Sequence, residues 1–585
     1  MIVPMKKISV IVQSRDAQAA LESLGGLGVL HVEHQQLPQG QDINALKDEI
    51  SLLKEAIGIL SNVECSNGQQ KKDKIDTSDW KNCARHILDC YKRLNQLQDY
   101  SRNILQQISQ WQDWGDFDPS ELVSLTGNNI YVRLYEVPIR EIKKFTADVN
   151  VKVISKKKGI AKCAVFSYGK PEIAFKEVGF PKMSISKMRQ RIAEDTRAIA
   201  HIKDQIQKHA CLITEFSQIK DSFEKKLEFQ ETLCGMGQIE SLMYLKGYIP
   251  HDAASALADT AKQQKWGIVI EDPTADDTVP TLIRNPRWIS IIKPVFKLLG
   301  IIPGYSELDI SPLFLIFLSL FFGMIIGDAG YGLVYFLLTF WFQKKFAPRL
   351  KDRRIFSLFY LFSACAIFWG LLTGTVFGQE WYVKVGFKPL IPILNDTKFL
   401  QAFCFFIGAF HLTLGHGWQA IRKIPSLTAL ADFGWICVLW AAFFLARTLI
   451  LNDPFPFFGK WLIIGGLTLV IFCTSLQKNI LKTIGNGLAA VALSLMNNFT
   501  DVVSYIRLFA VGLAGVAIAD TVNSLALSVG SSSYLTRFII IFLGHTLNII
   551  LGPMSVLVHG IRLNVLEFSG HAGLSWGGVA YKPLK

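Results

Sequence analysis

Apolar and polar positions alternate in two different ways along the chain, and the change falls near residue 290. In residues 1–290 apolar side chains recur every second residue over short stretches, as in strands, or every third and fourth residue over longer ones, as in helices. In residues 312–568 the pattern is instead a series of apolar runs of membrane-spanning length. The pattern predicts a soluble α+β half at 1–290, a linker at 291–311 and an α-helical membrane half at 312–585.

Each end of the soluble half shows a strand–helix–strand pattern. The predicted elements are Lys6–Val12, Ala17–Leu24 and Val29–Glu33, and then Met243–Ile249, Ala253–Gln264 and Gly267–Glu271. The glycines of Gly25–Gly28 lack both the GxGxxG and the P-loop spacing, so they predict a turn rather than a phosphate-binding loop.

Between these ends the pattern is helical, interrupted by one block of short strands. Heptad-like seams follow Ile43–Leu60, Trp80–Trp111 and Met188–Leu227, and the strands are expected within residues 130–178. The simplest assembly is two small α/β lobes joined by an antiparallel helical hairpin or coiled coil. The seams could instead form a local bundle or bind external helices. No convergent group of Asp, Glu, His and Ser residues indicates catalysis in this half.

The membrane half is predicted to contain eight spans, with both termini in the cytoplasm. The spans are about 312–327, 329–343, 355–378, 398–420, 428–450, 457–476, 488–527 and 535–566. The first two are short, and a single bent segment is the alternative. The loop at 343–354 carries six basic residues and one acidic residue, which the positive-inside rule assigns to the cytoplasm. Lys384 and Lys388 in the third loop fit that rule least well.

Composition argues against several classes of function. Many of the Lys and Arg residues behind the formal net charge of +13 lie in loops between apolar runs, so the charge indicates a membrane protein rather than a nucleic-acid-binding one. The ten cysteines form no CxxC pair and show no zinc or haem spacing, which predicts reduced structural thiols and no metal or other cofactor. The N-terminus shows no signal-peptide pattern, which favours a cytoplasmic N-terminal half.

Two of the apolar segments carry polar and ionisable side chains on one face. On the seventh span these are Asn497, Asp501, Ser504 and Arg507, and on the eighth they are His545, Asn548, Ser555, His559 and Arg562, with Glu567 near its end. An arginine at bilayer depth is energetically costly, so it is expected to face a bundle interior or a water-filled cavity. A plainer interpretation is that Arg507 and Arg562 only pair with acids such as Asp501 or Glu567.

Three further polar residues have a structural explanation. Asp328 lies among glycines between the first two spans, where it would act as a helix cap. His411 and His416 are five residues apart and so not on one helix face, which favours packing or interfacial roles over a metal pair.

Several motifs together resemble one family. Ser504–Ala514 resembles the SYxRLxAxxLA signature of the a subunit of V/A-type rotary ATPases, called subunit I in bacteria and archaea. Phe321–Gly332 resembles the first-span motif of that family, and His559–Phe568 resembles its HxxRLxxxEF motif. Gly247–Pro250 and Val279–Pro286 resemble the segment that closes its cytoplasmic half. The resemblance covers nearly the whole chain.

The resemblance implies a non-catalytic stator subunit of a bacterial or archaeal plasma-membrane ATPase. Half-channels in such a subunit carry protons, or sodium ions, to and from the carboxylates of a rotating ring of small proteolipid subunits. The cytoplasmic half docks onto peripheral stalks and links the membrane sector to the central stalk and catalytic head. The residues implied in ion translocation are Arg507, Arg562, Asp501, Asn497, Ser504, His559, Asn548 and Glu567.

The charge of Arg507 suits that role for a physical reason. A guanidinium stays charged at any biological pH, so it favours the ionised form of a facing carboxylate and promotes release of the bound ion. As a fixed positive charge it also blocks direct leakage of cations between the two half-channels.

The chain departs from the eukaryotic pattern of the family at three positions. Gly552 replaces a glutamate, Gly515 replaces a histidine and Asp501 stands where those relatives have a histidine. The lining of the half-channels is therefore rebuilt in this chain. Two other functions stay open: a stand-alone secondary transporter, although no internal repeat is visible, and a membrane-anchored scaffold.

Overall fold

The structure is a computed structural model, and it describes residues 1–584 except 64–78, 146–148, 158, 170–172, 174, 275, 348–349, 351, 380–390, 475–479 and 530–532. The chain forms two compact units. One consists of Met1–Val10, Val29–Glu33 and Lys246–Pro583, and the other consists chiefly of Ile11–Gly28 and His34–Leu245.

The strands form two larger sheets and one short pair. They are β1 (Met5–Gln13), β2 (His31–Glu33), β3 (Ile130–Pro138), β4 (Asn150–Lys157), β5 (Ile160–Tyr168), β6 (Glu177–Val178), β7 (Gly237–Ile239), β8 (Leu242–Pro250), β9 (Gly267–Glu271), β10 (Pro280–Thr281) and β11 (Val579–Ala580). One sheet has the order β2-β8-β1-β9, with β7 paired to β8, and the second has the order β4-β5-β3-β6. β10 and β11 pair in parallel.

The helices before residue 290 are amphipathic, and those from residue 311 onwards are mostly apolar. They are α1 (Ala17–Leu27), α2 (Gln41–Ser61), α3 (Trp80–Trp111), α4 (Pro119–Ser124), α5 (Ile185–His209), α6 (Ile213–Cys234), α7 (Ala254–Gln264), α8 (Lys293–Leu299), α9 (Ser311–Ile326), α10 (Ala329–Phe346), α11 (Arg354–Thr373), α12 (Thr397–Lys423), α13 (Ala429–Leu451), α14 (Phe457–Cys473), α15 (Ile480–Ser504), α16 (Ile506–Ser528), α17 (Tyr534–Ser555) and α18 (Ser569–Ala572). Two π-helical turns, Val556–Gly560 and Leu563–Phe568, join α17 to α18.

The predicted turn at Gly25–Gly28 is shorter than its glycines suggest. Helix α1 continues through Leu27, and the chain turns only at Gly28, where φ is 61°. Glycine adopts this left-handed conformation without the steric cost that a Cβ atom imposes.

The second of these units, made chiefly of Ile11–Gly28 and His34–Leu245, contains a four-helix bundle of α2, α3, α5 and α6. Their seams share one core, to which Leu53, Ile87, Ile202 and Phe216 each contribute from a different helix. The heptad pattern from Met188 onwards predicted no break, but a 3-10 turn at Ala210–Leu212 separates α5 from α6.

Charged pairs on the bundle surface show how its helices run. Lys47 lies 2.8 Å from Glu231, and Lys54 lies 3.1 Å from Glu224. These pairings make α2 and α6 antiparallel. The 32-residue helix α3 is about 48 Å long at 1.5 Å per residue, and its last residue, Trp111, packs into a core with β3 and β5. The bundle therefore extends as a rod from the sheet of β3–β6.

Among the described residues of the other unit, five helical segments are long and apolar enough to cross a membrane. They are Arg354–Thr373, Thr397–Lys423, Ala429–Leu451, Leu481–Ser528 and Tyr534–Ala572. Helices α9 and α10 pass the same test only as a pair that bends by 120°, and α14 is a shorter apolar helix. The predicted count of eight spans is therefore not confirmed.

The helical domain is the part of the chain from α9 to α18, and its two ends lie on the same side of it. Strand β10 precedes every apolar helix, and β11, which pairs with it, follows them all. The number of membrane crossings must then be even. With α14 as a span, the count is eight if the α9–α10 pair crosses twice and six if that pair re-enters on the same side.

Asp328 holds the bend between α9 and α10. Its Oδ1 accepts hydrogen bonds from the backbone N–H groups of Tyr331 at 3.1 Å and Phe377 at 2.9 Å, and its Oδ2 accepts one from Gly378 at 2.7 Å. The side chain is fully buried, and all its contacts are structural. The interpretation of Asp328 as a helix cap is confirmed.

Candidate functional site

A single carboxylate oxygen collects donors from two segments of the helical domain. Glu567 Oε1 accepts a hydrogen bond from Ser504 Oγ at 2.9 Å and from an Arg507 Nη atom at 3.1 Å, and it lies 3.4 Å from Arg562 Nε. The chain interrupts its α-helical path at Tyr505, and the second π-helical turn carries Glu567. These two irregularities bring the four side chains together.

The charges of this cluster do not cancel. Glu567 is 6% exposed and supplies one negative charge, while Arg507 and Arg562 supply two positive charges. The other carboxylate oxygen, Oε2, is buried and has no hydrogen-bond partner among the described residues. The side chain of Arg507 is 28% exposed and that of Arg562 is 52% exposed. The cluster therefore presents an excess positive charge at an accessible surface.

The plainer interpretation of the arginines is correct in one respect. Both pair with Glu567, but Asp501 instead forms a hydrogen bond with His571, at 3.0 Å from Asp501 Oδ2 to His571 Nε2. Pairing with Glu567 alone leaves one arginine charge uncompensated.

A chain of polar contacts leads away from Asp501. His571 Nδ1 lies 2.9 Å from His416 Nε2, and His416 Nδ1 lies 3.7 Å from an oxygen of Asp432. The other oxygen of Asp432 accepts a hydrogen bond from Lys423 Nζ at 2.7 Å. Sequence reasoning missed His571, Asp432 and Lys423, and it treated His416 as a packing residue.

A cavity of about 250 Å³ lies beside the beginning of this chain. Its lining is His416, Trp435, Ser494, Asn497, Asn498, Asp501, Gly570 and His571. Asn497, a predicted site residue, is exposed, and its Nδ2 donates to the carbonyl of Leu493 at 3.3 Å. The cavity is therefore polar and continuous with the face that carries Asn497.

A second polar group lies beyond Arg507 along α16. Asn548 donates from Nδ2 to the carbonyl of Gly515 at 2.9 Å, and His545 contacts Tyr331 Oη at 2.6 Å and Asn523 Oδ1 at 3.1 Å. A cavity of about 130 Å³ adjoins this group, with Tyr331, Gly515, Asn548, Gly552 and Ser555 in its lining. Asn548 was predicted for the site, whereas Tyr331 and Asn523 were not.

Along the helix axis, the two cavities lie on opposite sides of Arg507. Contacts of Asp501 with His571, Arg507 with Glu567 and Gly515 with Asn548 show that the two segments run antiparallel. Asp501 precedes Arg507 by six residues, or about 9 Å along a helix, and Gly515 follows it by eight, or about 12 Å. His559, half-buried, lies in the stretch between the second cavity and Glu567.

His411 has the packing role that was predicted for it. Its ring stacks on Phe317 at 3.7 Å and on Phe568 at 4.2 Å between ring centroids, and its Nδ1 hydrogen-bonds to Tyr505 Oη at 2.8 Å. Within the described ranges, no group of three or more His, Cys, Asp and Glu side chains has the geometry of a metal site.

Known proteins similar to this chain share one description. The V-type ATP synthase subunit I of Borreliella burgdorferi is 30% identical to it over 621 residues, covering 100% of this chain and 99% of that protein. V-type ATP synthase subunit I 1 of Treponema pallidum is 27% identical and covers 100% of both chains. A-type ATP synthase subunit I of Methanocaldococcus jannaschii is 24% identical over 60% of this chain and 56% of that protein. No family model matches the chain.

These relatives define the class of the protein. Apolar helices of membrane-spanning length and a charged cluster among them indicate an ion-transport subunit that is integral to the membrane. The chain belongs to the V/A-type ATP synthase subunit I family. The solved cytoplasmic N-terminal domain of a subunit I, a homologue of subunit a of V-ATPase, aligns with 45% of the chain at 12% identity and a TM-score of 0.25, which is too low to establish a shared fold.

Proposed function

We propose that this chain is the non-catalytic stator of a rotary ATPase membrane sector and contains two half-channels for its ion. The observation that carries the proposal is the excess charge of Arg507 and Arg562 between two polar cavities. A cation in either cavity cannot pass Arg507 and Arg562 directly, because a fixed guanidinium repels cations. It must be transferred to another group to go further.

The partner that accepts the ion is a carboxylate on a ring of small membrane subunits. Arg507 is 28% exposed, so its guanidinium is open to a facing surface as well as bound to Glu567. A carboxylate that approaches it is held in the ionised form, which releases its proton or sodium ion into the adjacent half-channel. Rotation of the ring then carries the site from one half-channel to the other.

The unit that contains the four-helix bundle acts as the arm of the stator. A rod made of α2, α3, α5 and α6 has the stiffness needed to resist torque, and it docks on peripheral stalks that lead to the catalytic head. We propose that this unit and the C-terminal segment are cytoplasmic, as the basic loop at 343–354 suggests. An even number of crossings is consistent with that orientation.

Substitution of Arg507 tests the proposal in the complete complex. ATP-driven ion uptake and ATP hydrolysis are measured together in vesicles that contain wild-type protein, Arg507→Ala or Arg507→Lys. Coupled uptake should be lost in both variants, because neither offers the same delocalised, forked charge. Arg447→Lys is a matched control, since Arg447 binds Asp453 at 2.7 Å at the end of α13, away from the cluster.

Normal uptake by Arg507→Ala would refute the proposal. Copurification with a small ring-forming proteolipid is expected as well. Transport of a solute by the purified chain alone would support the secondary transporter instead.

A further inference from the structure

One row of side chains crosses from the arginine-bearing segment to the surface through four helices. Asp501 lies on α15, His571 on α18, His416 on α12 and Asp432 on α13, and Lys423 at the end of α12 completes the row. His571 and His416 are each 8% exposed and Asp432 is 3% exposed, while the Lys423 side chain is 40% exposed. The row therefore has a buried middle and one accessible end.

The accessible end opens on the side that carries both ends of the helical domain. Arg422, next to Lys423, donates to the carbonyl of Ser306 at 2.8 Å. Glu307 in turn accepts a hydrogen bond from the backbone N–H of Ser575 at 2.7 Å. These contacts place the end of the row beside the segments that precede α9 and follow α18.

We propose that this row is a proton relay and that the ion carried by this half-channel is the proton. The inference rests on the proposed function and adds the route and the identity of the ion. Two imidazoles in direct hydrogen bond, at 2.9 Å between His571 Nδ1 and His416 Nε2, leave no room for a hydrated sodium ion between them. A proton passes such a contact by exchange of bonds without movement of a heavy atom.

Protons balance at every step of the relay. A proton on Asp501 is transferred to His571 Nε2, while the proton on His571 Nδ1 moves to His416 Nε2 and the proton on His416 Nδ1 moves to Asp432. One proton enters at Asp501 and one reaches Asp432, and each ring is left in its other tautomer. The half-exposed Lys423 ammonium then gives a proton to water and takes up the one on Asp432, which returns Asp432 to its starting state. Return of the rings to the first tautomer, or passage in the opposite direction, resets the row.

The step from His416 to Asp432 is longer than a hydrogen bond, so the gap must close before a proton can pass. His416 Nδ1 is 3.7 Å from Asp432 and has no hydrogen-bond partner within the part of the chain that the structure describes. A small rotation of either side chain, or one bridging water, closes this gap. Lys423 Nζ donates a hydrogen bond to Asp432 Oδ2 and so holds the carboxylate in place at the accessible end.

The test compares histidines inside and outside the row in the complete, reconstituted complex. His571→Gln and His416→Gln should lower the rate of ATP-driven proton uptake by roughly 100-fold or more, the usual contribution of a placed proton-transfer group. His411→Gln is the matched control, because His411 is also buried but stacks between Phe317 and Phe568 outside the row. Thermal stability and retention of the ring partner show that each variant is assembled.

Each result decides the matter. Proton uptake by both relay variants at the level of His411→Gln would overturn the relay, as would sodium uptake in place of proton uptake by the wild-type complex. The proposed function survives both results as long as Arg507→Ala abolishes uptake. If a buried histidine variant does not assemble, Asp501→Asn at the half-exposed entrance gives the same test, because its amide cannot take up the proton.

Discussion

Replacing Glu567 by glutamine tests whether one carboxylate holds the arginine cluster together. The substitution keeps the shape of the side chain but removes the charge that Arg507 and Arg562 share. Hydrogen bonds to charged groups contribute about 1.5–3 kcal/mol each, and the more exposed pair with Arg562 contributes about 1 kcal/mol or less. The side-chain oxygen of the glutamine can still accept the hydrogen bond from the Ser504 hydroxyl. We expect a loss of about 2–3 kcal/mol in the free energy of unfolding.

Thermal unfolding of the purified protein in detergent measures this loss. For a helical domain of this size, about 2–3 kcal/mol corresponds to a decrease of roughly 5 °C in Tm. Ser504→Ala removes only one of the three donors to Glu567 and leaves both arginines paired, so it should lower Tm by less. Glu55→Gln on the exposed face of α2 is the control and should leave Tm unchanged. A Tm for Glu567→Gln equal to that of the control would show that the cluster is not held by its charge.

Two further predictions concern parts of the molecule away from the cluster. In Gly370→Ala the new Cβ would lie 2.0 Å from the backbone nitrogen of Ala329, so the bend between α9 and α10 must shift, and we expect Tm to fall by several degrees more than in Gly465→Ala, where the position is open. The hydrogen bond from Lys7 lowers the pKa of Asp277 to about 2, below the unfolded value of about 3.9. The stability that Asp277 contributes is therefore present above pH about 4 and lost as the pH falls towards 2. Unfolding curves should show wild type above Asp277→Asn at pH 7 and a difference that shrinks at pH 3; a constant difference would contradict this.

The periodicity of the chain predicted local elements well because each depends on neighbouring residues. The predicted helix Ala253–Gln264 and strand Gly267–Glu271 differ from α7 and β9 by at most one residue. The break at Ala210–Leu212 was missed because apolar residues continue through it with helical spacing. Nothing in a three-and-four pattern distinguishes a 3-10 turn from one more turn of α-helix.

The polar stripes were predicted on the assumption of straight helices at 100° per residue. The irregularity at Tyr505 and the π-helical turns change which side chains share a face. Asn497 is exposed and lines the same cavity as Asp501, to whose stripe it was assigned. His571 was missed because its partner His416 is 155 residues away, a separation that only the folded chain removes.

Of the two glycines that depart from the eukaryotic pattern, Gly552 is explained by how α9 and α10 pack against α17, whereas a Cβ at Gly515 would meet only Asn548 Oδ1, at 3.8 Å. A Cβ at Gly552 would lie 2.6 Å from Ile326 Cδ1 and 2.8 Å from Tyr335 Oη, so the volume of a longer side chain is already occupied. Gly515 in turn offers its carbonyl to Asn548.

Besides Asn548 and Ser555 of α17, the second cavity has polar groups from α10. Tyr331 on α10 contacts His545 through its hydroxyl, and Tyr335 donates to the carbonyl of Ile549 at 2.8 Å. A glutamate at position 552 would need the ring of Tyr335 to move, and the hydrogen bond to Ile549 would be lost with it. Gly552 and Tyr335 therefore depend on each other, because Tyr335 fills the space that a side chain at position 552 would need. In the proposed half-channel, hydroxyl and amide groups take the place of a carboxylate.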